Sequence, residues 1–377
     1  MRDALRQSLG SLWPGLSRGA SFRIGLQLGH ERLNVAQMRQ TASGIAFRAV
    51  ASAGFGCTWD ALRAEPRRLK QVVKRVWAGQ PFSGKDVVAC MPPDQLKIFN
   101  VDYTSAEGQS DAEAIGRKIK ERVKGNVDGM VVDFAPVRQV NPDDPAKEAV
   151  VATASREHVM AFLDLLAGAG LTVTALDIGP MALTRVVPWA GKGAGGEMQN
   201  VLLINFGSAC SYLTVLWGRR LMLDRAVEFS EQRLLARVKA VMDLPEPMAQ
   251  QLLLERGFDT TAGGADGIGQ FSAAAKEVLR PQLLALKAEV SKTLVYAASK
   301  TRGESVDKIF LVGGVARYPG IAALMSEDLA KPVEVLNPFA VFPHRLTPTE
   351  LAELWPHSGV AVATGLALRG VPGSWQN

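Results

Sequence analysis

The feature that most constrains the fold is a glycine pair that directly follows an apolar strand near the C-terminus. The stretch Lys308–Gly320 reads KIFLVGGVARYPG, and a helix-like segment begins at Ile321. Glycine has no Cβ, so a strand that ends at Gly313 and Gly314 exposes bare backbone that a ligand can approach closely. A lone glycine pair is also typical of an ordinary strand-to-helix turn. The pair therefore gains meaning only from the segments that accompany it.

Two other segments carry a glycine at the turn between two apolar strands. The first spans Phe22–Met38 around Gly29, and the second spans Asn200–Leu216 around Gly207. In this order, the three segments resemble the actin-like ATPase fold, in which two hairpins clasp phosphates and a late Gly-Gly loop lies under the adenosine. The resemblance implies an α/β protein with duplicated actin-like, ribonuclease H-like domains.

The C-terminal segments narrow this resemblance to one branch of the fold. Residues Pro332–Phe339 (PVEVLNPF) and Gly359–Gly370 (GVAVATGLALRG) are similar to the end of the PilM family, the cytoplasmic actin-like components of type IV pilus assembly. The similarity runs from Phe22 to Gly370. It also implies an extra subdomain, because the PilM and FtsA branch carries an insert after the first strands of domain 1.

The stretch between Asp94 and Ala175 fits such an insert, because its predicted strands and helices form a self-contained α+β order. It ends with a helix over Arg156–Ala169 and a strand over Leu171–Asp177. The predicted segments are a basic amphipathic extension (1–21), the first part of actin-like domain 1 (22–93), the inserted α+β subdomain (94–175), a domain 1 helix with a glycine-rich crossing (176–196), actin-like domain 2 (197–335), and the return to domain 1 with the C-terminal tail (336–377).

The N-terminal extension combines an apolar stripe with basic charge. Leucines and a tryptophan recur at helical spacing, and four arginines accompany a single acidic residue, Asp3. A basic amphipathic segment can lie on an anionic membrane surface. Pro14 and Gly15 would shorten the helix, so a disordered extension or a helix docked on the body remain alternatives. The stripe consists of Leu5, Leu9, Leu12, Trp13 and Leu16, and the arginines are Arg2, Arg6, Arg18 and Arg23.

The composition restricts the other classes of function. The net charge of +6 is mild, and aromatic residues do not alternate with arginines as in proteins that bind single-stranded nucleic acid. Nucleic-acid binding is therefore not predicted. The three cysteines are widely spaced and the four histidines form no ligand cluster, which argues against a disulfide framework or a zinc site and fits a reducing cytoplasm.

The nucleotide site that the resemblance implies lacks its acidic residues. Where the family has an aspartate in the first hairpin this chain has Gln27, and in the second hairpin it has Asn205, followed by Gly207 and Ser208. An amide brings no charge and holds a hard cation much more weakly than a carboxylate does. The sequence therefore predicts no metal and leaves ATP or ADP binding open.

Other positions of the implied pocket also depart from the family. Ser230 and Glu231 replace a glycine pair, and Ala236 falls near an expected glutamate, so that Lys239 is the remaining candidate for a phosphate contact. We interpret the site as a remnant pocket of Gln27, Gly29, Asn205, Gly207, Ser208, Lys239, Gly313 and Gly314. The glycines can also be explained without a nucleotide, if their turns need positive φ.

The leading hypothesis is a non-catalytic scaffold on the cytoplasmic face of the inner membrane. By resemblance, it would bind the N-terminal cytoplasmic peptide of a PilN-like membrane protein in a groove between the main body and the insert, and it could contact pilus assembly ATPases. The alternatives are an active ATP-binding or ATP-hydrolysing switch, in which Glu231 or another acid replaces the lost aspartates, an FtsA-like division protein, and a cytoplasmic component of type II secretion. FtsA-like proteins end in an amphipathic helix, which Gly370–Asn377 does not fit.

Overall fold

A computed structural model describes residues 21–371 except 31, 58, 107, 123–128, 140, 142–143, 191–199, 219, 260–266 and 355–358. The first sheet consists of β1 (Ser21–Leu28), β2 (Arg32–Thr41), β3 (Gly44–Gly54), β4 (Asp86–Cys90) and β8 (Thr172–Asp177). Its strand order is β3-β2-β1-β4-β8. The first three strands form an antiparallel meander, and β4 and β8 continue parallel to β1.

The second sheet repeats this topology. It consists of β9 (Val201–Phe206), β10 (Ser211–Trp217), β11 (Arg220–Val227), β12 (Lys308–Gly313) and β13 (Val333–Val335), in the order β11-β10-β9-β12-β13. An antiparallel meander is again followed by two parallel strands. The repeat confirms the predicted duplication of an α/β domain.

The helices bury the faces of both sheets. Those of the first half are α1 (Trp59–Ala64), α2 (Arg67–Gly79), α3 (Asp111–Arg122), α4 (Arg156–Gly168) and α5 (Gly179–Ala190). The second half contributes α6 (Glu231–Met242), α7 (Glu246–Glu255), α8 (Gly267–Lys300) and α9 (Ile321–Leu329), followed by α10 (Pro338–Val341), α11 (Pro348–Leu354) and α12 (Gly359–Ala367). Amphipathic spacing explains α2, which buries Leu69, Val72, Val73 and Val76 beneath a polar face.

The last helix returns to the first half. Residues 359–367 of α12 are all buried, and the helix packs against β1, β2 and α5. The approach to β1 is close, because a Cβ built on Gly25 would lie 1.9 Å from the carbonyl oxygen of Ala363. Glycine is therefore required here for helix-to-sheet packing.

The inserted subdomain is smaller than predicted. Its own sheet has the order β5-β7-β6, formed by β5 (Lys97–Tyr103), β6 (Met130–Pro136) and β7 (Lys147–Ser155). Residues of α3 complete its separate core. The helix and strand that we assigned to the end of the insert belong instead to domain 1, because β8 pairs with β4 and α4 packs into the core beneath β1. An apolar helix and strand carry no sign of which sheet they join, so the boundary near Ser155 was missed.

Several predictions fall outside the described residues. These are the N-terminal extension up to residue 20, the glycine-rich crossing at 191–196 and the end of the C-terminal tail. Within the part of the chain that the structure describes, no helix has both the length and the apolarity needed to cross a membrane.

Candidate functional site

The first hairpin places Gln27 in a chain of hydrogen bonds. Gly29 closes the turn by donating its N–H to the carbonyl of Arg32 at 2.8 Å. Across the hairpin, Asn34 Nδ2 donates to Gln27 Oε1 at 2.7 Å. Ser52 Oγ donates to Asn34 Oδ1 at 2.7 Å and accepts from Arg32 Nε at 3.0 Å. The amide that replaces the expected aspartate is thus bonded to another amide of the same sheet.

These two amides lie against the start of α12. A Cβ built on Gly359 would be 2.3 Å from Gln27 Oε1 and 2.1 Å from Asn34 Nδ2. The amide pair therefore fills the space in front of the first turn of α12. Sequence reasoning missed Asn34, although a polar residue within the apolar run Leu33–Ala36 was a signal, and its side chain is 4% exposed.

The second hairpin is tied to the N-terminus of α6. Asn205 lies opposite Tyr212 on β10 and beside Val312 on β12. At the turn, the carbonyl oxygens of Gly207 and Ser208 accept hydrogen bonds from the backbone N–H groups of Glu231 and Gln232, both at 3.2 Å. The first donors of a helix can bind an anion. Here two of them are used by the turn itself.

The glycine pair is required by groups of the protein itself. Gly313 has φ +104°, and a Cβ there would meet the Phe206 carbonyl oxygen at 2.2 Å. A Cβ on Gly314 would lie 1.9 Å from Glu231 Oε2. Among the four glycines of the remnant pocket, only Gly313 has positive φ. At Gly207 the reason is close approach, because a Cβ would be 2.2 Å from the Cys210 carbonyl oxygen.

The carboxylate of Glu231 is held over Gly314 by two donors. Arg317 Nη2 and Tyr318 Oη donate to Glu231 Oε1 at 2.9 Å and 3.0 Å. Arg317 Nε also donates to the Gly314 carbonyl at 2.9 Å. The side chains of Glu231 and Arg317 are 15% and 16% exposed. Burial, together with the neighbouring Glu231 carboxylate, raises the pKa of Tyr318, so its hydroxyl stays protonated and donates.

Lys239 lies away from this cluster. It is eight residues beyond Glu231 on α6, which corresponds to about 12 Å along the helix axis. Its side chain is half exposed, and its Nζ lies 3.6 Å from Glu246 Oε2. The structure therefore brings Glu231 to Gly314 and does not bring Lys239 there.

A small cleft lies between the Gly-Gly turn and α12. It is lined by Val312 and Gly313 on β12, by the β13–α10 connection, and by Val360 and Ala361. Gly359, which contacts the Gln27–Asn34 pair, directly precedes this wall. The lining is apolar, with Arg317 as its charged member and no carboxylate. A cleft of this kind offers van der Waals contact and lacks the oxygen ligands that Mg²⁺ prefers.

Two buried carboxyl groups, which sequence reasoning missed, lie elsewhere. Asp177 Oδ2 pairs with Arg185 and with Arg369, both at 2.9 Å. Asp224 accepts a hydrogen bond from Thr214 Oγ1 at 2.6 Å, and burial raises its pKa to about 7. In the described residues, no three of the side chains of His, Cys, Asp and Glu come together as a metal site would require.

The insert is fastened to the second half through Glu148. Its carboxylate oxygen Oε1 accepts from Asn100 Nδ2 at 2.7 Å and from Tyr296 Oη at 2.9 Å, and Lys300 Nζ lies 3.3 Å from its Oε2. Asn100 also donates to the Met222 carbonyl on β11 at 2.8 Å. The opposite edge of the insert is β6, which lies beside α4 of the main body.

Comparison with known proteins gives a consistent result. The profile of the family described as "Type IV pilus assembly protein PilM" matches residues 25–371. The solved structure of a PilM–PilN type IV pilus biogenesis complex is similar with a TM-score of 0.70 and 22% identity, covering 93% of this chain and 98% of that one. This similarity supports the actin-like fold.

More distant structures also match over most of their length. The ethanolamine utilization protein EutJ from Carboxydothermus hydrogenoformans is similar with a TM-score of 0.49 and 13% identity, and the match covers 98% of this chain and 99% of that one. MreB5 of Spiroplasma citri, solved with AMPPNP, gives a TM-score of 0.45 and 10% identity, and 85% and 92% of the two chains are covered.

Proposed function

Because this chain belongs to the PilM family of type IV pilus assembly proteins, we propose that it is a non-catalytic scaffold of the pilus assembly platform. In this proposal it lies on the cytoplasmic face of the inner membrane and binds the N-terminal peptide of a PilN-like membrane protein. Contacts with pilus assembly ATPases, or the use of the same scaffold in a related pseudopilus, belong to this proposal. The main observation that supports this proposal is the match to the PilM family, which covers nearly the whole described chain.

The peptide partner is supported by the similarity to a PilM–PilN complex and by the edge of the insert. In the order β5-β7-β6, strand β6 has one edge with which no strand of the described residues pairs, and α4 of the main body lies beside β6. An extended peptide can add to such an edge through backbone hydrogen bonds while its side chains reach neighbouring surfaces. We propose that the groove between β6 and α4 holds the peptide.

The absence of catalysis is supported by the side chains that fill the remnant nucleotide site. The Glu231 carboxylate lies over Gly314, where the actin-like resemblance places the adenosine, and it is held by Arg317 and Tyr318. At the first hairpin, Gln27 and Asn34 satisfy each other where a metal-binding carboxylate is expected. Nucleotide binding would require these groups to move, and the hairpin amides Gln27 and Asn205 would supply no acidic ligand for Mg²⁺.

Isothermal titration calorimetry tests both parts of the proposal. A synthetic peptide of the cognate PilN-like N-terminus should bind the purified protein, whereas Mg-ATP should produce no measurable heat. Val131→Asp places a charge on β6, where the valine is 40% exposed, and should weaken the peptide at least tenfold, roughly 1.4 kcal/mol. Val295→Asp on α8, where the valine is 70% exposed, is the matched control and should bind normally.

Each titration can fail separately. If Val131→Asp and Val295→Asp bound the peptide equally well, the groove between β6 and α4 would not be the binding site. If the wild-type protein did not bind the peptide, the proposed PilN-like partner would be wrong. Mg-ATP binding in the low micromolar range would overturn the degenerate site and favour an active nucleotide switch. A hydrolysis assay on the same sample would then separate a nucleotide-binding switch from an ATPase.

A further inference from the structure

One short stretch of the chain carries a local excess of positive charge. Residues 61–85 contain seven basic residues and one acidic residue. The whole chain has 43 basic and 37 acidic residues, so outside this stretch the two kinds are equal in number at 36 each. Such a local excess creates a positive potential on a surface of a chain that is otherwise balanced.

Helix α2 carries most of this charge on its outer face. Its apolar side chains are buried against the first sheet, whereas Arg67, Lys70, Lys74 and Arg75 are exposed. The spacing of Arg67, Lys70 and Lys74 places them along one line of the helix. None of these four side chains forms an ion pair with a carboxylate in the described part of the chain. The exposed acid beside them, Glu65, is bonded to Arg68 at 2.5 Å.

The loop that follows α2 extends this basic face toward the start of β1. Gln37 Nε2 donates to both the Phe22 and the Ser83 carbonyls, at 2.8 Å and 2.9 Å, and holds the loop beside β1. Arg48 Nε donates to the Pro81 carbonyl at 3.0 Å, and Lys85, four residues after Pro81, is exposed. The chain from residues 1–20, itself rich in arginine, joins the described structure at this same end.

We propose that this basic face, defined by Arg67, Lys70, Lys74, Arg75 and Lys85, docks on the anionic headgroups of a phospholipid membrane. Charge complementarity favours an anionic lipid surface as the partner, since each Lys or Arg close to such a surface contributes to the attraction. The leucine and valines of α2 are buried and Trp77 is stacked on Phe82, so the exposed side chains of the helix are mostly charged. Binding is therefore electrostatic, reversible and weakened by salt.

A nucleic acid fits this face less well. The aromatic residue on α2, Trp77, is stacked on Phe82 and donates its indole N–H to the Gly84 carbonyl, so it offers no free platform for a base. The inference goes beyond the proposed peptide partner and uses the proposed function only to place the protein beside a membrane. Peptide titration and lipid binding are separate measurements, so either can fail alone.

Vesicle co-sedimentation tests the proposal. The full chain should sediment with vesicles of phosphatidylcholine and phosphatidylglycerol and should stay in the supernatant with phosphatidylcholine alone. The combined change Arg67→Glu, Lys70→Glu and Lys74→Glu should lower the partition coefficient at least about tenfold, and added salt should lower that of the wild-type protein. The matched control Arg117→Glu, Lys118→Glu and Lys120→Glu makes the same change of charge on exposed positions of α3 and should bind as the wild type does.

The outcomes are separable. If the triple glutamate variants of α2 and α3 lost vesicle binding equally, binding would depend on net charge alone and the proposal would be overturned. Unchanged vesicle binding by the α2 variant would also overturn it. In a chain that begins at Ser21, the α2 substitutions should still weaken vesicle binding. If they had no effect in that shorter chain, the proposal would also be overturned. Stronger binding to duplex DNA than to anionic vesicles would replace the lipid with a nucleic acid. If the α2 variant unfolds, the glutamine set Arg67→Gln, Lys70→Gln and Lys74→Gln is used in its place.

Discussion

The two glycine turns beside the cleft are filled by side chains of different kinds. At the first hairpin, the amides of Gln27 and Asn34 bond to each other and lie against Gly359. At the Gly-Gly turn, the carboxylate of Glu231 lies over Gly314 and pairs with Arg317. In both places the protein supplies the polar group that occupies the turn.

This difference predicts how strongly the truncation of a side chain at each turn destabilises the protein. Burying a neutral amide costs less than burying a charge, and removing one partner leaves a neutral polar group without its hydrogen bond. A largely buried ion pair is different, because the loss of one partner leaves the other charge uncompensated at low exposure. The Gly-Gly turn should therefore be much more sensitive to truncation than the first hairpin.

Glu231→Ala should have the largest effect on stability. The guanidinium of Arg317, 16% exposed, would lose its carboxylate, and Tyr318 would lose its acceptor. We expect the free energy of unfolding to fall by about 3 kcal/mol or more, measured by urea denaturation. Arg233→Ala on the same helix is the control, because that side chain is 57% exposed and its pair with Glu228 should contribute little. Equal, small losses in both variants would contradict the comparison.

Gly314→Ala tests whether Glu231 is the reason for the glycine. Gly314 has φ −55°, which any residue adopts, so the cost should come from the clash with Glu231 alone. We expect a loss of about 2 kcal/mol in the wild-type background and much less in the Glu231→Ala background, a coupling that a double-mutant cycle measures. Gly313→Ala should not be rescued in this way, because its Cβ would meet the backbone of Phe206 at φ +104°.

The fold could be predicted well because periodic apolar patterns decide it. The helix predicted over Arg156–Ala169 and the strand predicted over Leu171–Asp177 lie within one residue of the observed Arg156–Gly168 and Thr172–Asp177. The insert boundary was missed because α4 and β8 have the same apolar character as elements of the insert. Only long-range pairing of β8 with β4 assigns them to domain 1.

The site was less predictable because its contacts join distant residues. The sequence shows glycines at 313 and 314 but not that Glu231, more than 80 residues earlier, reaches Gly314. The same holds for Asp224 on β11, whose burial depends on the packing of its sheet against the rest of the protein. Spacing along the chain identifies turns, whereas the side chain that fills a turn is decided by tertiary structure.

Asp224 is a buried acid and, in the described residues, has no ion-pair partner such as Arg317 provides for Glu231. The free energy of unfolding should therefore depend on pH. Burial raises the pKa of Asp224 to about 7, although the Thr214 hydroxyl opposes this shift. The folded protein then binds more protons than the unfolded chain between roughly pH 4 and pH 7, so the free energy of unfolding should fall as pH rises through that range. Asp224→Asn should flatten this slope in urea titrations at several pH values, whereas Asp133→Asn at an exposed position should retain it. A slope unchanged by Asp224→Asn would contradict the prediction.

The smallest effect is expected at the first hairpin. Asn34→Ala removes the donor to Gln27 Oε1 and the acceptor of the Ser52 hydroxyl, and leaves two neutral groups without these partners. Because Gln27 and Ser52 are only partly buried, water can replace part of what is lost, and we expect a cost of about 1 kcal/mol in the free energy of unfolding. Gln71→Ala, an exposed amide on α2, controls for loss of an amide at the surface and should cost less. If Asn34→Ala lowered the free energy of unfolding as much as Glu231→Ala does, the prediction would be contradicted. The hydrogen bonds among Gln27, Asn34 and Ser52 would then stabilise the protein as much as the Glu231–Arg317 ion pair.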